Sequence, residues 1–165
     1  MTRLLVAGVG NVLFGDDGFG PAVVAELATL PLPAGVRVMD AGVRGFDLTS
    51  ALLDGYDAAI LIDAAVRGGK PGTLYVLEPE PPSATGEYGL DLQVDPHRLE
   101  PSRVLLLAHA SGARLSSIRI VACEPAVADE MTDELSPAVK RAVEPAARLV
   151  ERLIAEMSGG GHSDA

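Results

Sequence analysis

Two stretches of this chain are apolar at every position, Leu4-Leu5-Val6-Ala7-Gly8-Val9 and Ala58-Ala59-Ile60-Leu61-Ile62. A strand with one wet face alternates apolar and polar residues. An unbroken apolar run of this length, closed by Gly or Asp, instead marks a strand covered on both faces. Helices must then lie on both sides of the sheet, and the intervening sequence supplies them. Gly10 to Gly18 forms a loop into a helix over Phe19–Leu30, and Pro21 is tolerated in its first turn, where backbone N–H groups have no intrahelical partner. Val36 to Asp40 reads as a second strand, and Phe46 to Leu53 as a helix stopped by Gly55.

After the run ending at Ile62 and Asp63, only Arg67-Gly68-Gly69-Lys70-Pro71-Gly72 precedes another strand, Thr73 to Leu77. That link is too short for a crossover, so these two strands are expected to be antiparallel neighbours. Glu78 to Pro96 is rich in Pro, Glu and Gly and reads as a long surface loop. A helix over Arg103–Ala110 and a strand over Ser117–Cys123 follow. The last helix is the clearest, with Ser136 at the N-cap position and Pro137 at the first helical position. Val139, Ala142, Val143, Ala146, Leu149, Val150, Leu153, Ile154 and Met157 then recur at helical spacing. Pro145 is expected to kink this helix, and Gly159-Gly160-Gly161 to stop it. The expected architecture is α/β, a three-layer α/β/α sandwich around a mostly parallel five-stranded sheet with one antiparallel strand. Residues 1–158 read as a single domain, and 159–165 as a disordered tail.

Composition narrows the function. The net charge is −10, against a nucleic-acid footprint, which needs clustered Lys and Arg. The same charge opposes docking on an anionic membrane surface. No stretch approaches the 18 or so apolar residues of a spanning helix. Asn11, two glycines and Asp16-Asp17 break the N-terminal run, so it does not read as a signal peptide. The lone cysteine, Cys123, excludes an internal disulfide framework and fits a reducing compartment. A cytoplasmic protein is expected.

In open α/β sheets, ligands collect beyond the carboxyl ends of the strands. Asp16-Asp17, Asp40 and Asp63 each follow one of the first three strands. If strands one and three are neighbours, Asp17 and Asp63 face one crevice, and His97 in the later loop comes within reach. Two carboxylates and an imidazole form a ligand set of borderline hardness for a metal ion. Each residue also has a plainer reading. Asp16 serves the tight turn or caps the next helix, and Asp40 bonds backbone in its own loop. His109 packs along its helix, and Cys123 fills the core as a small hydrophobe. A nucleotide reading is weak, because the third glycine of the dinucleotide fingerprint should fall on position 13, which is Leu13, and no Gly-Lys-Ser/Thr loop exists.

The run Gly8-Val9-Gly10-Asn11-Val12-Leu13-Phe14-Gly15-Asp16-Asp17-Gly18-Phe19-Gly20 resembles the signature of the hydrogenase maturation endopeptidases. Asp40-Ala41-Gly42, Leu61-Ile62-Asp63-Ala64, Asp95-Pro96-His97, Glu124-Pro125 and Leu135-Ser136-Pro137 agree in order and approximate spacing. The resemblance runs from Arg3 to about Met157. It implies the same α/β sandwich, a monomer, and a metal-binding constellation that falls on Asp17, Asp63 and His97. Family members carry Asp or Glu at the first of these, so Asp17 is no departure.

The implied activity is removal of the C-terminal extension of a nickel-iron hydrogenase large-subunit precursor after nickel insertion. The nickel rides on the substrate, and the carboxylates and histidine recognise it. The catalytic part falls to Asp17 and Asp63, with two routes open: a metal ion polarises the carbonyl or activates water, or an Asp acts as general base. A non-catalytic chaperone that inspects metallation would use the same three groups. A nucleotide-binding domain is the third reading.

Overall fold

A computed structural model describes residues 1–43, 45–79, 101–126 and 130–159. His97, the tail from 160 and the loop before α3, apart from Glu78 and Pro79, lie outside them. The strands are β1 (Leu4–Val9), β2 (Val36–Gly42), β3 (Ala58–Ala64), β4 (Leu74–Leu77) and β5 (Ser117–Cys123). The helices are α1 (Phe19–Leu27), α2 (Gly45–Leu52), α3 (Pro101–Ala110) and α4 (Pro137–Gly159), and a 3-10 turn (Gly15–Gly18) leads into α1.

The sheet order is β2-β1-β3-β5-β4. All neighbours run parallel except β4 and β5. One antiparallel strand was expected, but its neighbour was not the expected one. β4 pairs with β5, and β5 lies between β3 and β4. The short link therefore turns the chain back without making a hairpin. It leaves a gap one strand wide, which β5 fills with its parallel register to β3.

Successive side chains of β1 and β3 point to opposite faces, so each face has its own core. On one face Leu4, Val6, Ile60 and Ile62 meet Phe19, Val23 and Leu27 of α1 and Val139, Ala146 and Val150 of α4. On the other, Leu5, Ala7 and Leu61 meet Leu48 and Leu52 of α2 and Val104 and Leu105 of α3. That is the three-layer α/β/α sandwich, and it explains why the central strands show no polar residue until Asp63.

Element ends follow local chemistry. α1 stops at Leu27, earlier than its apolar spacing indicates. Thr29 and Leu30 make tighter bonds to the carbonyls of Glu26 and Leu27 before Pro31, and the residue before a proline disfavours helix. α3 starts at Pro101 rather than Arg103, using proline's fit to the first helical position. α4 runs unbroken through Pro145, which leaves the Arg141 carbonyl without its usual partner four residues on. Gly55 (φ +83°) turns the chain out of α2, where the Arg3 guanidinium bonds the carbonyls of Asp54 and Gly55 and lies over the Tyr56 ring.

A very close backbone approach lies where α1 crosses β1 and β3. A Cβ on Gly8 would stand 2.5 Å from the Gly20 carbonyl oxygen, and one on Gly20 would collide with the carbonyls of Val9 and Ile62. Both obstacles are backbone, which cannot swing aside. Gly20→Ala is therefore expected to cost about 3 kcal/mol or more, the upper end of overpacking penalties. At this size that lowers the melting temperature by at least roughly 6 °C, measurable by calorimetry. An unchanged melting temperature would contradict the packing described.

Candidate functional site

The chain leaves β1 across one face through α1 and leaves β2 across the other through α2. Strand order thus reverses at β1, and the crevice beyond the carboxyl ends of β1 and β3 is the switch point where such sheets hold ligands. Asp63 lies at the end of β3 on this edge, and Asp17 lies in the 3-10 turn on the connection that follows β1.

Asp17 lies in the 3-10 turn that packs against β3. Its carboxylate Oδ2 accepts the Asn11 N–H at 2.8 Å, and its own N–H donates to the Phe14 carbonyl. The loop after β1 is thereby folded back on the turn. Gly10 (φ +139°) lies so close to the Asp17 carbonyl that no side chain would fit there. Asp63 belongs to β3 itself rather than to the loop beyond, with only 8% of its surface exposed. Its Oδ1 accepts the N–H of Ala64 at 2.8 Å. Both carboxylates are thus buried and each accepts a backbone amide, Asp63 at the end of β3 and Asp17 in the 3-10 turn that contacts that strand. His97 lies outside the described residues, and among the described residues no cluster of three His, Cys, Asp or Glu side chains is placed to hold a metal ion.

The plainer readings fit Asp40 and His109, whereas Asp16 is structural in another way than the expected cap of the next helix, since α1 has no side-chain cap bond. Asp40 is exposed and accepts the Gly42 N–H at 2.9 Å. His109 is half-buried along α3. Asp16 is fully buried, and its carboxylate accepts three bonds from the far side of the chain: Ala126 N–H (2.8 Å), Ser136 N–H (2.7 Å) and the Ser136 hydroxyl (2.8 Å). The hydroxyl that stands at the α4 N-cap position thus ties the start of α4 to the turn carrying Asp17. The Gly15 N–H reinforces the tie by donating to the Thr132 carbonyl at 2.8 Å.

One residue escaped the sequence reading as a site group. Glu124 is buried directly after β5, and its carboxylate accepts the N–H groups of Arg67 (2.8 Å) and Gly68 (3.0 Å) and the Tyr75 hydroxyl (3.2 Å). It holds the loop that follows Asp63. Burial, followed by the bond to Glu124, raises the Tyr75 hydroxyl above its ordinary pKa. The available signal was the one used for Asp63, a carboxylate at the tip of an apolar strand.

Comparison with known proteins decides the family. A family model described as hydrogenase maturation protease matches residues 21–153. The chain belongs to the hydrogenase maturation proteases. Among relatives in this family, the hydrogenase expression/formation protein HupD of Rhodobacter capsulatus is 34% identical over 139 residues, covering 83% of this chain; the chain spans only 64% of that protein's length. HoxM of Azotobacter vinelandii is 32% identical over 93% of this chain and 73% of its own length. In structure, the chain is similar to the hydrogenase maturating endopeptidase HybD of Escherichia coli, with a TM-score of 0.80, 30% identity and 94% of each chain covered. The α/β sandwich is thus that of a hydrogenase maturation protease.

Two expectations follow. Asp16→Ala would strand three donors, each costing about 1–3 kcal/mol when buried without a partner. A fall in unfolding free energy of about 3 kcal/mol or more is expected in urea titration, and a loss under 1 kcal/mol would contradict the clamp. For Cys123, burial, then the Asp16 and Glu124 carboxylates, push the thiol from 9.0 up to about 12. The folded state keeps a proton that the unfolded chain releases, so this contribution to stability is full below about pH 9 and is lost as pH rises towards 12. The native thiol is expected to resist alkylation at pH 8 and to react once urea unfolds the chain. Rapid labelling of the native protein would contradict its burial.

Proposed function

We propose that this chain is an endopeptidase that removes the C-terminal extension of a nickel-iron hydrogenase large-subunit precursor after nickel insertion. The observation carrying the reading is the pair of buried carboxylates, Asp63 at the end of β3 and Asp17 in the 3-10 turn that contacts β3, in a hydrogenase maturation protease fold. The nickel is cargo of the substrate. Asp17 and Asp63, joined by His97, contact that nickel, a mixed carboxylate and imidazole set suited to a borderline metal. Membership of a protease family and the likeness to an endopeptidase support cutting rather than mere inspection.

Two chemical roles are compatible with this placement. Contact with the substrate's metal positions the precursor tail over the crevice, and orientation of this kind is a large part of a hydrolytic rate enhancement. A carboxylate held by a backbone amide is also oriented to take a proton from an attacking water. The protein acts in the cytoplasm, as a monomer, on a protein partner rather than on nucleic acid or membrane. The acidic net charge supports a partner other than nucleic acid or an anionic membrane surface, and among the described residues no helix is long and apolar enough to cross a membrane.

The test is incubation with precursor prepared with and without nickel, read by intact mass. A mass loss matching a C-terminal peptide is expected only in the nickel-loaded sample. A precursor that binds without losing mass would point to a metallation-checking chaperone instead. Asp17→Asn and Asp63→Asn are each expected to slow processing by roughly 10²–10⁴-fold, the range for removing a positioned acid–base group. Processing by either variant at the wild-type rate would remove that residue from the site.

A further inference from the structure

Nine large apolar side chains are exposed among the described residues, and five of them gather on one edge. Val12 (50%) and Leu13 (56%) lie in the loop leaving β1, Val43 (54%) directly follows β2, and Val66 (54%) lies two residues past β3. Met131 (79%) precedes Thr132, which bridges Phe14. These positions follow three adjacent strands, β2, β1 and β3, whose ends span about 10 Å at the usual strand spacing. The loops are tied together, since the Gly10 N–H donates to the Gly42 carbonyl and the Gly15 N–H to the Thr132 carbonyl. The apolar groups therefore lie on the loops at the carboxyl edge of the sheet, the edge where Asp63 lies at the end of β3 and the turn with Asp17 follows β1. Beside Met131 stand exposed Glu130, Asp133 and Glu134.

Exposed apolar residues scattered singly need no explanation, but a cluster rimmed by charge marks an interaction surface. We infer that Val12, Leu13, Val43, Val66 and Met131 form the docking face for the folded body of the hydrogenase precursor, through an apolar patch flanked by Lys or Arg. This rests on the function proposed above. Two observations favour this occupant. First, contact between the buried carboxylates and a metal carried by another protein brings that protein's surface over this edge. A protein interface covers about 800 Å² per partner, more than the crevice alone. Second, the acidic groups beside Met131 and the net charge of −10 complement a basic rim. Met and aliphatic groups at the centre with charge outside is the usual layout of an interface core and rim.

Surface changes of this kind leave folding within about 0.5 kcal/mol. Val12→Ser with Leu13→Ser, and separately Met131→Ser, are therefore measured for KM, kcat and precursor Kd, with melting temperature as the control for folding. A rise in KM and Kd of about tenfold at unchanged kcat is expected for the double variant, the pattern of lost uniform binding. For Glu130→Gln with Asp133→Asn and Glu134→Gln, slower association and a weaker dependence on salt are expected. KM and Kd within twofold of wild type in both Ser variants would overturn the inference, even if the protein cuts normally. A wild-type protein that binds but never cuts removes the protease reading, and the Kd values alone then decide the docking face. Dimerisation in sedimentation, abolished by the double variant, would assign the patch to a second copy of the chain and also overturn it.

Discussion

Everything at the carboxyl edge depends on how closely α1 approaches β1 and β3. Gly8 and Gly20 let backbone meet backbone where any other residue would hold the helix off by the width of a side chain. That contact seats the 3-10 turn, and with it Asp17, beside the strand that carries Asp63. Gly10 completes the arrangement by letting the loop after β1 fold against the Asp17 carbonyl. The glycine-rich motif is thus a packing device, and the resemblance to a phosphate-binding loop is superficial. The acidic pair in the turn is also the wrong charge for a phosphate.

A second layer of organisation comes from buried carboxylates that need not touch a substrate. Burying a charge is costly unless hydrogen bonds satisfy it. Among the described residues, Asp16 and Glu124 each accept at least three. Together they strap the β5–α4 connection to the first turn and hold the loop after β3, from either side of Cys123. Burial, and then the carboxylates of Asp16 and Glu124, hold the Cys123 thiol in its protonated form within the core.

Fold class was legible because the two central strands are apolar on both faces, which permits no other layering. Strand adjacency was not. The tightness of the Arg67–Gly72 link shows that the chain reverses, but not whether another strand will come between, because β5 is nearly fifty residues away in sequence and joins through long-range pairing. Asp40 was legible in role because a short acidic side chain in a turn bonds a nearby amide, whereas Asp16 was legible only as structural. The partners of Asp16 lie 110 and 120 residues onward, and no local pattern announces them. Glu124 was passed over for the same reason: its importance lies in the loop it faces rather than in its own neighbours. Asp17 and Asp63 were readable as carboxylates that follow apolar strands; the structure places Asp63 at the end of β3 and Asp17 in the 3-10 turn that contacts β3.

The central claim is that these two carboxylates meet a metal brought by the partner. The most direct measurement is nickel X-ray absorption on the loaded precursor, alone and in a stoichiometric complex frozen before cleavage. The expected result is added oxygen ligation at nickel in the complex, lost when Asp17→Asn or Asp63→Asn replaces the wild-type protein. A nickel spectrum unchanged by the wild-type protein would contradict the claim.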